Sequence, residues 1–115
     1  MEHWLWIILA ALFFGLIAGD TISPEGDEVS GREGESVTLT CKYQSDDDDP
    51  DLYWYRHHSD LHAPQFILWK RATGTTEYIP DKRYESKTSS SSTELTINKL
   101  TLEDTALYYC AVETQ

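Results

Sequence analysis

The chain predicts an all-β fold, an antiparallel sandwich closed by one disulfide, and three observations carry that prediction. Short segments of alternating apolar and polar residues recur with turn-forming residues between them, and no segment shows a convincing amphipathic helical period. Two cysteines, Cys41 and Cys110, stand far apart. Trp54 follows the first, and Tyr108 lies two residues before the second. A disulfide can pin two sheets face to face, an indole can fill the space beside it, and a tyrosine hydroxyl can staple a strand corner.

The elements follow in chain order. Residues 4–18 form a continuous apolar run of fifteen residues, short of the roughly 20 that a bilayer-spanning helix needs. The run suits the apolar region of a secretory signal peptide, with Ala18 and Gly19 as small residues at its end. The segment preceding it departs from that pattern, carrying Glu2 and His3 with no Lys or Arg. We therefore expect residues 1–19 to be a signal peptide and residues 20–115 to be the domain; a buried or membrane-anchoring N-terminal helix is the alternative.

Residues 31–35 read as a turn. Residues 36–43 alternate strictly, with Val37, Leu39, Cys41 and Tyr43 on one face, as a half-buried strand does. Residues 45–51 are polar, acidic and broken by Pro50, a solvated loop. In residues 52–57, Leu52 and Trp54 share one face while Tyr53, Tyr55 and His57 take the other. Residues 59–63 turn the chain, 64–69 give another short strand, and 70–76 make a polar tip around Gly74. Residues 83–88 and 93–100 are two further strands split by the serine run 89–92, with Leu95 and Ile97 on one face. Residues 102–106 predict a single-turn helical crossing, and 107–112 a last strand.

Composition narrows the function. The whole chain carries nine basic and twenty acidic side chains, a net charge of −11, and removing residues 1–19 takes away only Glu2 among them. Nucleic acid and anionic membrane surfaces would repel so acidic a chain. In an oxidising secretory route the two cysteines pair naturally. Closing a loop of about 70 residues contributes on the order of 4 kcal/mol in the chain-entropy model, against about 5–15 kcal/mol of net domain stability.

No catalytic set emerges. Several serines are present, but neither a nucleophile elbow nor a spacing that argues a Ser-His-Asp triad. Asp46, Asp47, Asp48 and Asp49 invite a calcium reading, yet the loop glycine and terminal glutamate of an EF-hand spacing are missing. A calcium-binding secreted module remains a minor alternative to a solvated loop tip. His57 and His58 are adjacent on a strand and point to opposite faces, so they do not converge on a metal. Asn98 begins no glycosylation sequon. The sequence thus predicts no enzyme, no metal site, no cofactor and no small-molecule substrate.

The pieces Ser36-Val37-Thr38-Leu39-Thr40-Cys41, Leu52-Tyr53-Trp54-Tyr55-Arg56, Ser92-Thr93-Glu94-Leu95-Thr96-Ile97 and Leu102-Glu103-Asp104-Thr105-Ala106-Leu107-Tyr108-Tyr109-Cys110-Ala111-Val112 resemble an immunoglobulin variable-type domain. More narrowly, they resemble a T-cell receptor alpha variable segment. The narrower likeness rests on the Leu-Tyr-Trp-Tyr-Arg strand, the serine-rich fourth loop and the Cys-Ala-Val ending.

The resemblance implies an immunoglobulin V-type sandwich with a Cys41–Cys110 inter-sheet disulfide, a core including Trp54, Tyr108, Leu39 and Ile97, and an Arg83–Asp104 ion pair. It also implies that the joining segment and its final strand are lacking, which would leave the edge of the 107–112 strand open.

For function the resemblance implies antigen recognition as a heterodimer with a T-cell receptor beta chain. The antigen is peptide displayed by a histocompatibility (MHC) molecule. Signalling subunits would be reached through constant and transmembrane regions, on the extracellular face of the plasma membrane. Antigen-binding loops would be built from Ser45, Asp46, Asp47, Asp48, Asp49 and Asp51, from Lys70, Arg71, Thr73, Thr75 and Glu77, and from Val112 and Glu113. Tyr55, His57, Pro64 and Tyr109 would centre the partner-chain interface. Such domains usually carry glutamine where this chain has His57. A delta-chain segment or an innate variable-type receptor is the alternative within binding proteins.

Overall fold

The computed structural model describes residues 4–11, as a backbone path, and residues 20–114. Strand β2 (Thr21–Pro24) pairs with β4 (Val37–Gln44), which pairs with β9 (Ser92–Ile97) and through it with β8 (Tyr84–Thr88), making a four-stranded sheet. The second sheet runs β3 (Glu28–Arg32), β1 (Trp4–Ala11), β10 (Leu107–Glu113), β5 (Asp51–His57), β6 (Gln65–Arg71) and β7 (Glu77–Tyr78). A 3-10 turn at Leu102–Asp104 carries the chain from one sheet to the other.

Period-two alternation builds the core. In β4, Val37, Leu39, Cys41 and Tyr43 are buried, and β9 answers with Thr93, Leu95 and Ile97. From the other sheet Leu52 and Trp54 of β5 and Tyr108 and Cys110 of β10 point inward, all fully buried. Burying a side chain such as Leu39 or Ile97 stabilises the fold by about 2 kcal/mol.

The Cys41–Cys110 disulfide joins β4 to β10, with the two Cα atoms 6.7 Å apart, and therefore ties sheet to sheet. The Trp54 indole N–H would be an unsatisfied donor in this dry interior; it donates to Thr93 Oγ1 at 3.2 Å.

The base of the sandwich is closed by polar groups. Tyr108 donates its hydroxyl to the Asp104 carbonyl at 2.7 Å, pinning the corner where the chain enters β10. Arg83 grips the Asp104 carboxylate with two N–H groups, at 2.6 and 3.1 Å. The Thr101 backbone N–H donates to the same carboxylate at 2.9 Å. Asp104 is 2% exposed, so the charge is held by partners rather than by water.

Burial alone would raise the Asp104 carboxyl, but the Arg83 and Thr101 bonds and the guanidinium charges outweigh it and hold the group below the usual carboxylate range. The Asp104 bond in turn holds Arg83 above its ordinary value, against the opposing effect of burial.

The structure departs from the sequence reading in four places. Residues 31–35 do not form one turn, because Gly31 and Arg32 complete β3 and the reversal is confined to the residues after them. A Cβ on Gly31 would stand 2.6 Å from Val37 Cγ1 and 2.7 Å from Leu100 Cδ1, so this glycine serves close packing and not turn geometry. Strands β2, β3 and β7 have no counterpart in the expected elements; they are two to five residues long and mostly exposed, too short for an alternating pattern to stand out. Lys70 and Arg71 belong to β6 and not to a polar tip.

The fourth departure concerns the edge of β10, which is not open. Residues 4–11 lie beside it as β1, parallel to β10 from Ile8↔Leu107 to Ala11↔Cys110 and antiparallel to β3 from Trp4↔Arg32 to Ile8↔Glu28. An edge offers a row of unpaired N–H and C=O groups, and an apolar segment in extended form satisfies them.

Candidate functional site

Two surfaces stand out, one at an end of the sandwich and one on the outer face of the larger sheet. The end surface begins with residues 45–50. This segment is acidic and cannot be buried, so it folds on its own backbone: the Asp47 N–H donates to Ser45 Oγ at 3.1 Å and the Asp49 N–H to Asp47 Oδ1 at 2.9 Å. The Asp46 N–H reaches Asp20 Oδ1 at 3.3 Å.

Asp49 then ties this loop to the next. It accepts from the Thr73 N–H at 3.0 Å and the Thr73 hydroxyl at 3.4 Å, while Thr73 and Thr75 share a hydroxyl contact at 2.9 Å. The Ala72 N–H donates to the Pro50 carbonyl at 2.9 Å, a second link between the two loops.

The basic residues in this region act as struts. Arg71 Nε donates to Asp51 Oδ1 at 3.1 Å. Lys70 Nζ donates to the Ser86 carbonyl at 2.9 Å and stands 3.4 Å from Glu77. Both cations are mostly covered, whereas Thr73, Thr75 and Glu77 are exposed. The far end of β10 arrives at the same rim, with Val112 opposite Leu52 and Glu113 opposite Asp51. Val112 packs on the core while Glu113 is exposed.

Thus Ser45, Asp46, Asp47, Asp48, Asp49 and Asp51 meet Thr73, Thr75 and the β10 tip in one surface. Asp46, Asp48 and Glu113 are exposed carboxylates of this surface. Among the described residues no three carboxylate, imidazole or thiolate groups converge in a way that could hold a metal ion.

The lateral surface is aromatic. Strand alternation turns Tyr53, Tyr55 and His57 outward from β5, and Tyr109 from β10 beside them. A register shift opposite Trp54 and Tyr55 lets both Ile67 and Leu68 bury while Phe66 and Trp69 face out. The rings form a continuous patch: Tyr53 and Tyr55 lie 6.3 Å apart, Tyr55 and Phe66 6.1 Å, Tyr53 and Trp69 6.4 Å, and Phe66 and Tyr78 6.0 Å.

Burial first, and the nearby Glu113 carboxylate second, raise the Tyr53 and Tyr55 phenols, so both stay neutral hydrogen-bonding groups at physiological pH. Below them His57 and Tyr109 stack loosely, ring centroids 6.1 Å apart, with Tyr109 Oη 3.5 Å from His57 Nδ1. Pro64 is exposed at the edge of the same face. A groove of about 400 Å³ lies next to His57, lined also by His58, Ser59, Asp60, Thr105 and Leu107.

Asp20 joins the end surface without having been singled out from sequence, and Tyr78 joins the aromatic patch by stacking on Phe66. Asp20 lies in a segment with no periodic pattern, and Tyr78 is half of a two-residue strand; neither carries a local signal of its place.

Comparison with known proteins agrees with this architecture. Residues 25–115 match the model of the immunoglobulin V-set domain. The chain is 35% identical to human T cell receptor alpha variable 3 over 109 residues, covering 91% of this chain and 92% of the relative. It is 34% identical to human T cell receptor beta variable 5-6, covering 92% and 91%. With human T cell receptor alpha variable 17 it shares 30% identity over 115 residues, 98% of this chain and all of the relative. The matched residues 25–115 include both cysteines and the Tyr108 corner, and the chain belongs to the immunoglobulin V-set family as a T-cell receptor variable-type domain.

Proposed function

We propose that this chain is the variable domain of a T-cell receptor alpha chain, which recognises peptide displayed by a histocompatibility molecule while paired with a beta-chain variable domain. The observation that carries the reading is the division of labour between the two surfaces. Hydrogen bonds through Asp49 and Pro50 knit two loops together at the end of the sandwich where the tip of β10 also arrives, whereas the aromatic patch lies on the flank. Clustered Tyr, Trp and Phe supply contact area at low entropic cost, as a stable partner face requires. A rigid sandwich presenting polar loops suits a wet interface of modest affinity.

Within this reading, residues 1–19 are a signal peptide removed on secretion, and residues 20–115 form the domain. The receptor chain reaches the extracellular face of the plasma membrane and its signalling subunits through further regions. Among the described residues no helix is long and apolar enough to cross a membrane. Ser45, Asp46, Asp47, Asp48, Asp49, Thr73, Thr75, Glu77 and Glu113 contact ligand, while Asp51, Lys70 and Arg71 hold the loops in place. Tyr55, His57, Pro64 and Tyr109 centre the partner face.

Assignment to alpha rests on the Cys-Ala-Val ending and the Leu-Tyr-Trp-Tyr-Arg strand. A relative whose name joins alpha variable 38-2 to delta variable 8, at 24% identity, supports delta as the second reading. Co-expression of a full receptor chain carrying this domain with panels of beta and gamma chains tests both. Recovery of a beta-chain heterodimer is expected. Recovery only with gamma chains favours delta, and recovery with neither removes the pairing claim.

A further inference from the structure

One residue on the flank decides what chemistry a partner must present there. His57 is half-buried on β5, directly opposite Leu107 of β10 and diagonal to Tyr109. Its Nδ1 lies 3.5 Å from Tyr109 Oη, at the long limit of a hydrogen bond. With the phenol donating to Nδ1, the imidazole carries its proton on Nε2. That N–H then points away from Tyr109 and is the donor left for a neighbouring chain.

We propose that His57 is a specificity residue of the pairing face: it selects a partner that places an uncharged hydrogen-bond acceptor opposite it, and its protonation loosens the pair. The proposal rests on the partner-chain reading above.

Two effects oppose protonation in the paired state. A second proton on the ring removes the Nδ1 lone pair that accepts from Tyr109. It also places a charge in a seam that pairing would dehydrate, which is costly without a counter-charge. The groups around His57 decide whether a counter-charge exists. From its own strand and the turn after it come Arg56, His58 and Asp60; from β10 and the residues before it come Tyr109, Leu107 and Thr105. Arg56 is drawn away, donating to the Glu103 carbonyl. On β6 the neighbouring side chains, Gln65 and Phe66, are uncharged. The sequence of β1, next beyond β10, has no ionisable side chain.

Among the described residues, Asp60 is the single carboxylate bordering the groove, and it is exposed and water-screened. The seam is therefore built for a neutral imidazole. Histidine is the side chain whose ordinary charge change falls between about pH 5 and pH 8.

The test uses the full receptor chain with its beta chain, lacking any covalent link between them, in sedimentation across about pH 7.4 to about pH 5.5. The wild-type pair is expected to dissociate about tenfold more readily at the acidic end, which corresponds to about one pK unit of differential protonation. The H57Q pair should be tight and nearly pH-independent, because an amide keeps a donor and cannot charge. H58Q, altering the exposed neighbour, should behave as wild type. Pairing of wild type that is pH-independent, or that tightens on acidification, overturns the inference while leaving the heterodimer reading intact. A pH response that persists in H57Q also overturns it. Failure of wild type to pair at any pH overturns both.

Discussion

Asp104 shows how much a single buried carboxylate can be asked to do. It is gripped by Arg83, bonded by the Thr101 N–H, and its carbonyl receives the Tyr108 hydroxyl. Removing one partner of such a pair leaves a buried charge uncompensated, so R83A should destabilise the domain by about 3 kcal/mol, read as a shift in the urea midpoint. Y108F deletes only the corner bond and should cost about 1 kcal/mol; equal losses for the two variants would contradict this ranking.

The pH dependence has a definite sign. The folded-state value of Asp104 lies below the unfolded one. Its contribution is therefore complete above the unfolded carboxylate range and fades as pH falls through the depressed folded value. Acid titration of stability should be shallower in D104N than in wild type over that window. The side chain whose loss matters most here is visible in sequence only as one letter of a tyrosine-and-cysteine motif. Its partner Arg83 lies 21 residues away with no local pattern to link them; the family resemblance implied the pair, and the fold brings the two groups into contact.

At the scale of elements, the strands that alternate are the strands that sequence predicts. β4, β5, β9 and β10 each bury one face, and burial on one face is what period-two patterning encodes. β2, β3 and β7 escape because they lie at margins of the sheets and bury little. Gly31 misleads because glycine signals both turns and tight approach, and the approach of Val37 and Leu100 is invisible until the sheets are assembled.

The candidate loops are legible as polar segments, but their division into struts and free groups is not. Lys70, Arg71 and Asp51 look as available as Asp46 and Asp48 in the sequence, yet the first three are engaged. This separates two substitutions. D49A removes the acceptor of the Thr73 N–H and should loosen the 72–76 turn, read as faster amide exchange at Thr73 with little change in global stability. D46N/D48N should leave that exchange unchanged and instead weaken the salt dependence of association with a positively charged ligand. Identical effects of the two changes would show that the loop is not tied through Asp49.

At the scale of the whole molecule, the larger sheet is continuous only because β1 fills the space between β3 and β10. Backbone groups on both neighbours find their partners there. If residues 1–19 leave on secretion, as proposed, the same groups face water and present two strand edges to any chain that meets them. A further strand following β10 could restore the pairing from the other end of the sequence.

Three forms of the chain distinguish these states: residues 1–115, residues 20–115, and residues 20–115 extended by a strand of about a dozen residues. In the second, the amides of β10 that face β1 should exchange faster than in the first, while those of β4 and β9 should change little. The second should also melt lower and aggregate sooner than the third. The disulfide between β4 and β10 limits the loss to the exposed edge, since it continues to hold β10 against the opposite sheet. Equal melting temperatures and equal exchange across all three would mean that neither β1 nor an added strand supports β10, and that its pairing with β5 alone suffices.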